Sequence, residues 1–112
     1  MEALEHLQRI ERSEAVYSQA QYLRAVLLRE FGRFEHALES LDRVLEAGGP
    51  QVDVLLLRAS VLEHAGRKTE AEDAFRQAVP LETKRASIEL AAFYLREGRP
   101  VDAKRVAEAA LA

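Results

Sequence analysis

Three histidines, five serines and nineteen carboxylates are the side chains of this 112-residue chain that could carry reaction chemistry. Glu35-His36 and Glu63-His64 each set an acid beside a base, but successive residues on a helix point away from one another. A helical metal site places two histidines four residues apart, as in HExxH, and His6, His36 and His64 do not have that spacing. None of Ser13, Ser18, Ser40, Ser60 and Ser87 stands in the GxSxG frame that exposes a nucleophile at a sharp turn. Gly48-Gly49 is too short to cradle a phosphate. The carboxylates are spread as on any Glu-rich helical surface, so no single pair stands out as an acid and base. Cysteine is absent, which excludes thiol catalysis, disulfides and cysteine metal sites and fits a reducing compartment. The residues therefore point to a chain that is not an enzyme, with no metal and no cofactor.

The elements that must position these residues are helices. Ala, Leu, Glu, Arg and Lys make up 66 of the 112 residues, a bias that belongs to helical chains. Two Thr, two Ile and no Trp leave little for a β-sheet. The length allows one domain. A net charge of −3 supplies no basic field for a phosphate backbone. The start, Met1-Glu2-Ala3-Leu4-Glu5, lacks the basic and apolar regions of a signal peptide. No apolar run approaches the roughly 18 residues that cross a bilayer. A soluble, cytoplasmic helical domain without membrane insertion is expected.

Punctuation shows how the helices are arranged. Gly32, Gly66 and Gly98 each end an apolar-periodic stretch, 34 and then 32 residues apart, and self-similarity at such a period marks a helical repeat array. Laid on these glycines, Leu23-Arg24-Ala25 falls on Leu57-Arg58-Ala59, Leu28 on Leu62 and Tyr94, and Ala37 on Ala71 and Ala103. Small residues at a fixed place on both helices of a pair let the axes approach closely. Leu41, Phe75 and Ala107 then fill the opposite side. Glycine at each turn suits the left-handed residue that ends a helix. Pro50 and Pro100 suit the first turn of a helix, and Thr69 with Glu72 reads as a capping box. Expected helices span 18–31, 34–47, 51–65, 69–79, 83–97 and 100–111, with Pro80 shortening the fourth. For residues 1–17 the preferred reading is a separate short capping helix, its inner side carrying Ala3, Leu7 and Ile10 and its break at Ser13. The alternative is one long helix over 2–31.

On these residues the chain resembles the tetratricopeptide repeat family, over residues 18–112. Gln21, Arg24, Ala25, Leu28, Ala37 and Leu41 match the first copy of the pattern. Leu55, Arg58, Ala59, Leu62, Ala71 and Phe75 match the second, and Ser87, Leu90, Ala91, Tyr94, Ala103 and Ala107 the third. Trp is missing, Arg24 and Arg58 stand where Leu is usual, and Pro80 comes early. The resemblance implies an all-α, right-handed α-α superhelix of three hairpins (18–50, 51–82 and 83–112) plus the N-terminal helix. It implies a protein–protein interaction module that takes a partner peptide or helix in a concave groove.

In that frame the groove carries Tyr22, Leu56 and Ile88 as one row and Val26, Ser60 and Ala92 as a second, with Arg85 and Arg96 at the flanks. The competing reading is that these residues are buried between helices. Chaperone-binding members of the family grip an acidic terminus with a basic and amide clamp. Those places hold Tyr22, Val26, Leu57, Arg85 and Glu89 here, and one Arg beside a Glu leaves a carboxylate unpaired, so that clamp is absent. Small secretion-type chaperones of bacteria are the alternative within the interaction class. An RNA-reading repeat is remote, because Glu30, Glu63 and Glu89 alternate with Arg29, Arg85 and Arg96 and no nucleic-acid partner fits the charge. A protein or peptide partner is expected. Val106, Ala107, Ala110 and Leu111 form an apolar C-terminal edge, where a homodimer or a docked partner is expected.

Overall fold

A computed structural model describes residues 2–48 and 51–112, with side chains described from residue 15 onward. The described residues form six helices and no strand: α1 (Glu2–Glu30), α2 (Phe34–Gly48), α3 (Val52–His64), α4 (Lys68–Ala78), α5 (Thr83–Arg96) and α6 (Pro100–Leu111). The chain divides into two compact units, Met1–Gly49 and Pro50–Ala112. The first unit is the hairpin of α1 and α2. The second holds the hairpins of α3 with α4 and α5 with α6, and α4 also packs against α5.

Each hairpin is closed by the same turn. Gly32, Gly66 and Gly98 have φ of 74°, 79° and 71°, a left-handed conformation that glycine alone adopts without steric cost. In the first turn the Gly32 amide donates to the Arg29 carbonyl at 3.0 Å and the Arg33 amide to the Leu28 carbonyl at 2.8 Å. The pattern recurs at Gly66-Arg67 and Gly98-Arg99, and it is the Schellman closure that satisfies orphan carbonyls at a helix end. The carbonyls of Arg33, Arg67 and Arg99 then accept from Ala37, Ala71 and Ala103, so each arginine opens the following helix.

Two expectations fail here. The Thr69–Glu72 capping box does not form, because α4 starts at Lys68 with Arg67 as its N-cap and no side-chain cap bond. Glu72 is drawn instead toward α5 and α6. The separate N-terminal helix over 1–17 also fails, since α1 runs unbroken through Ser13. Nothing between residues 2 and 30 is a Gly or Pro, and one Ser with a Glu after it does not offset the helix preference of its neighbours. Pro50, Met1 and the inner positions expected of Ala3, Leu7 and Ile10 lie outside the described residues and side chains. The end of α4 at Ala78 fits the early Pro80, and Pro100 opens α6 as expected.

The core follows the repeat. Ala25, Ala37, Ala59, Ala71, Ala91 and Ala103 are all buried, as are Leu41, Leu62, Phe75 and Tyr94. In the first unit Leu38 and Val44 join them. In the second, α3 is buried on most of its circumference, from Val54 through Leu57 and again at Val61 and Leu62.

Candidate functional site

Within the second unit, α3 and α5 flank an open cleft of about 560 Å³ lined by Leu56, Ser60, Glu63, His64, Phe75, Glu89 and Arg96. Phe75 reaches it from α4. The cleft follows from the register of the repeat, which sets Asp53 of α3 and Arg85 of α5 at equivalent places 32 residues apart. These two form an ion pair, with Glu82 at 3.8 Å from the same guanidinium. At the other end Arg96 grips Glu63 with two bonds, Nε at 2.7 Å and Nη2 at 2.9 Å. That pair raises the pKa of Arg96, the bond to Glu63 being its largest cause. The His64 Nδ1–H donates to the Ser60 carbonyl at 2.7 Å, which fixes the imidazole against its own helix. Leu56 and Phe75 are the large apolar side chains of the lining and Glu63 with Arg96 its ion pair, while the Asp53–Arg85 pair joins the same two helices nearer their N-termini.

The residues singled out from the sequence divide as follows. Leu56, Ser60 and Arg96 line the cleft. Ile88 is 63% exposed and Leu56 only 9%, so the apolar row has one open member and one that belongs to the core. Ala92 is half-buried. Arg85 and Arg96 are engaged with Asp53 and Glu63 across the two helices. Tyr22 and Val26 lie on α1, in the other unit, and both are half-buried. His64, which shares the groove side of α3 with Leu56 and Ser60 in the sequence frame, lines the cleft too, as do Glu63, Glu89 and Phe75, for which the register of the flanking helices was the signal that could have found them. Among the described residues no three His, Asp or Glu side chains gather where a metal could sit, and no helix is long and apolar enough to cross a membrane.

A second polar cluster joins α4, α5 and α6. The Tyr94 hydroxyl donates to Glu72 Oε1 at 2.7 Å and accepts from Arg76 Nη2 at 3.0 Å. Arg99 Nη1 donates to the other Glu72 oxygen at 3.1 Å and Nε to Asp102 at 2.9 Å. The same guanidinium lies 4.4 Å from the centre of the Tyr94 ring, within cation–π range. The Tyr94 hydroxyl, then Arg99 and Arg76, hold the Glu72 carboxyl below its ordinary value against the opposing effect of burial. Burial, then Glu72, pushes the Tyr94 hydroxyl up. Arg67–Glu70 and Arg99–Asp102 repeat an Arg-x-x-acid spacing at the start of α4 and α6, and the Gly-Arg dipeptides of the sequence were its visible sign.

The cluster makes stability depend on pH. A carboxylate whose folded pKa is depressed adds stability that is complete above the unfolded value and lost as pH falls through the folded one. Glu72→Gln is expected to cost about 1–2 kcal/mol near neutrality, a charge-assisted bond discounted for its partly solvated setting. The gap between wild type and variant should close once the pH falls below the lowered Glu72 value. Urea midpoints at neutral and acid pH check this, and a gap independent of pH would contradict it.

Comparison with known proteins agrees with this fold. The family model described as tetratricopeptide repeat matches residues 1–51 and 22–83. Among solved structures, the crystal structure of MamA has a TM-score of 0.71 at 18% identity, covering 84% of this chain and 56% of that one. MamA AMB-1 gives 0.63 at 22% identity, with 83% and 52% covered. A MamA mutant gives 0.64 at 19% identity, with 96% and 88% covered. The chain thus spans about half the length of the first two, and at these identities the likeness is one of fold. No curated protein matches the sequence.

Proposed function

We propose, from the premise that this chain belongs to the tetratricopeptide repeat family of protein-interaction modules, that it takes a partner's peptide or helix into the cleft between α3 and α5. The reading gives it no catalytic role. The observation that carries it is the cleft itself, an open space of about 560 Å³ lined by apolar Leu56 and Phe75 and by the Glu63–Arg96 ion pair. Arg96 of its lining and Arg85 earlier on the same helix are already matched by carboxylates, so the partner is anchored by apolar side chains and not by an acidic terminus. Tyr22 and Val26 hold on α1 of the first hairpin the repeat places that Leu56 and Ser60 hold on α3. The lack of cysteine is compatible with a reducing compartment such as the cytoplasm.

Capture of partners by the intact chain, followed by mass spectrometry, supplies the ligand for the test. Ile88→Asp then removes an exposed apolar side chain on α5, next in sequence to the cleft-lining Glu89, without touching the core. Losing the burial of one such side chain costs about 1.5–3 kcal/mol, so binding should weaken at least tenfold while the helical spectrum is kept. Leu56→Asp is unsuitable, because Leu56 lies in the core and a carboxylate there would unfold the unit. Arg43→Glu, on the exposed side of α2, should leave binding intact. If Arg43→Glu breaks binding and Ile88→Asp does not, the cleft is the wrong site.

A further inference from the structure

The face by which α5 meets α4 recurs, uncovered, on α1. Phe93 of α5 packs on Phe75 of α4 with ring centroids 5.2 Å apart, and Lys68 of α4 pairs with Glu97 of α5 at 3.2 Å. Counted from the turn glycines, the places of Phe93 and Glu97 are held by Leu27 of α1 and by Phe31 just past its end, and Leu23, one turn earlier, holds the place of Glu89. Leu23, Leu27 and Phe31 are 55%, 59% and 76% exposed. They stand four residues apart, which lines them up along one side of the helix. An exposed row of large apolar side chains is a docking surface.

The other half of the same junction recurs on α6. The places of Lys68, Ala74, Phe75 and Ala78 in α4 are held there by Pro100, Val106, Ala107 and Ala110. Ala74 and Ala78 are buried, whereas Val106 and Ala110 are half-buried and Leu111 is 87% exposed. Two changes match across the pair. Where α4 and α5 hold the Lys68–Glu97 ion pair, α6 and α1 hold Pro100 and Phe31, both apolar. Where α4 supplies the bulk of Phe75, α6 has Ala107 and α1 has the larger neighbours Leu23 and Phe31 in place of two glutamates. Large side chains facing small ones fill a helix–helix interface.

We propose that a second copy of this chain is the occupant, with α6 of one copy seated on α1 of the next as α4 is seated on α5. Neither face uses a residue of the α3–α5 cleft. The contact is heterologous, so each copy keeps one free face, and assembly continues until a ring closes or the chain of copies stays open.

Light scattering and sedimentation of the full chain test this, with expected mass at least doubling as concentration rises. Leu27→Glu and Ala110→Glu should each be monomeric at every concentration with the helical spectrum retained. If Ala110→Glu loses helix, Leu111→Glu replaces it, being at an exposed position. The decisive arm is the mixture. Leu27→Glu keeps an intact α6 face and Ala110→Glu an intact α1 face, so together they should form a dimer of one copy each and nothing larger. A wild type that stays monomeric overturns the proposal. So does a mixture that fails to pair, or an α6 variant that assembles as well as the wild type, which would mean that α1 pairs with itself or with another face.

Discussion

Phe93→Ala should lower the stability of the second unit by about 3–5 kcal/mol, the range for emptying a fully buried aromatic site. Phe93 is 1% exposed and packs on both Phe75 and Tyr94, with ring centroids 5.2 and 5.8 Å away. With Tyr94 and Glu97 it joins the second hairpin of the unit to α4, so its loss acts on the coupling between hairpins as well as on the core. Stability in repeat proteins is close to a sum of hairpin terms and nearest-neighbour terms. Weakening one neighbour term should therefore broaden the urea transition and lower its slope, besides moving its midpoint. Circular dichroism against urea reads both. A shifted midpoint with an unchanged slope would mean that the two hairpins are coupled through other contacts.

Ala59→Leu should cost about 1–3 kcal/mol by the opposite route, overpacking. Ala59 is fully buried on α3, and Ala71, fully buried on α4, holds the matching small place on its partner helix. Three added carbons at such a place have no void to enter, so either the side chain leaves its rotamer or the helices part. The apolar gain of a larger side chain works the other way, which is why the sign of the result is informative. A neutral or stabilising Ala59→Leu, read from the same urea transition, would mean that the α3–α4 backbones do not cross at this residue.

The parts of this structure that the sequence disclosed are those that a single helix pair enforces on itself. The turn glycines, the small residues at Ala25, Ala59 and Ala91, and the fillers Leu62 and Tyr94 are demanded by local geometry and recur in each pair, so spacing alone reveals them. The end of α4 at Pro80 is legible for the same reason. Contacts between hairpins were not. Arg96 holds Glu63 and Tyr94 holds Glu72 over 33 and 22 residues of chain, and neither pair has a periodic signal. The capping box at Thr69 was misread because the turn at Gly66-Arg67 lets α4 begin at Lys68, which puts Thr69 inside the helix and not at its N-cap. Ser13 was misread as a break because a capping residue ends nothing when helix formers continue past it. Of the apolar row expected in the groove, Ile88 is exposed beside the cleft, whereas Leu56, which lines it, is claimed largely by the core of its own unit. An apolar residue at a groove place looks the same in sequence whether it faces a ligand or a neighbour.

The three glycine turns also bear on how the chain meets the ribosome. Every hydrogen bond that closes a turn spans five residues or fewer, so a hairpin can form once its own residues have emerged. Synthesis delivers about 5–20 residues per second, whereas helices form within about a microsecond. Each nascent hairpin therefore has ample time to settle before the next appears. Phe75 is the exception, because the ring that covers it, Phe93, lies eighteen residues downstream. For roughly one to four seconds of elongation that ring stands bare on α4, and this is the interval in which a holdase would find the growing chain.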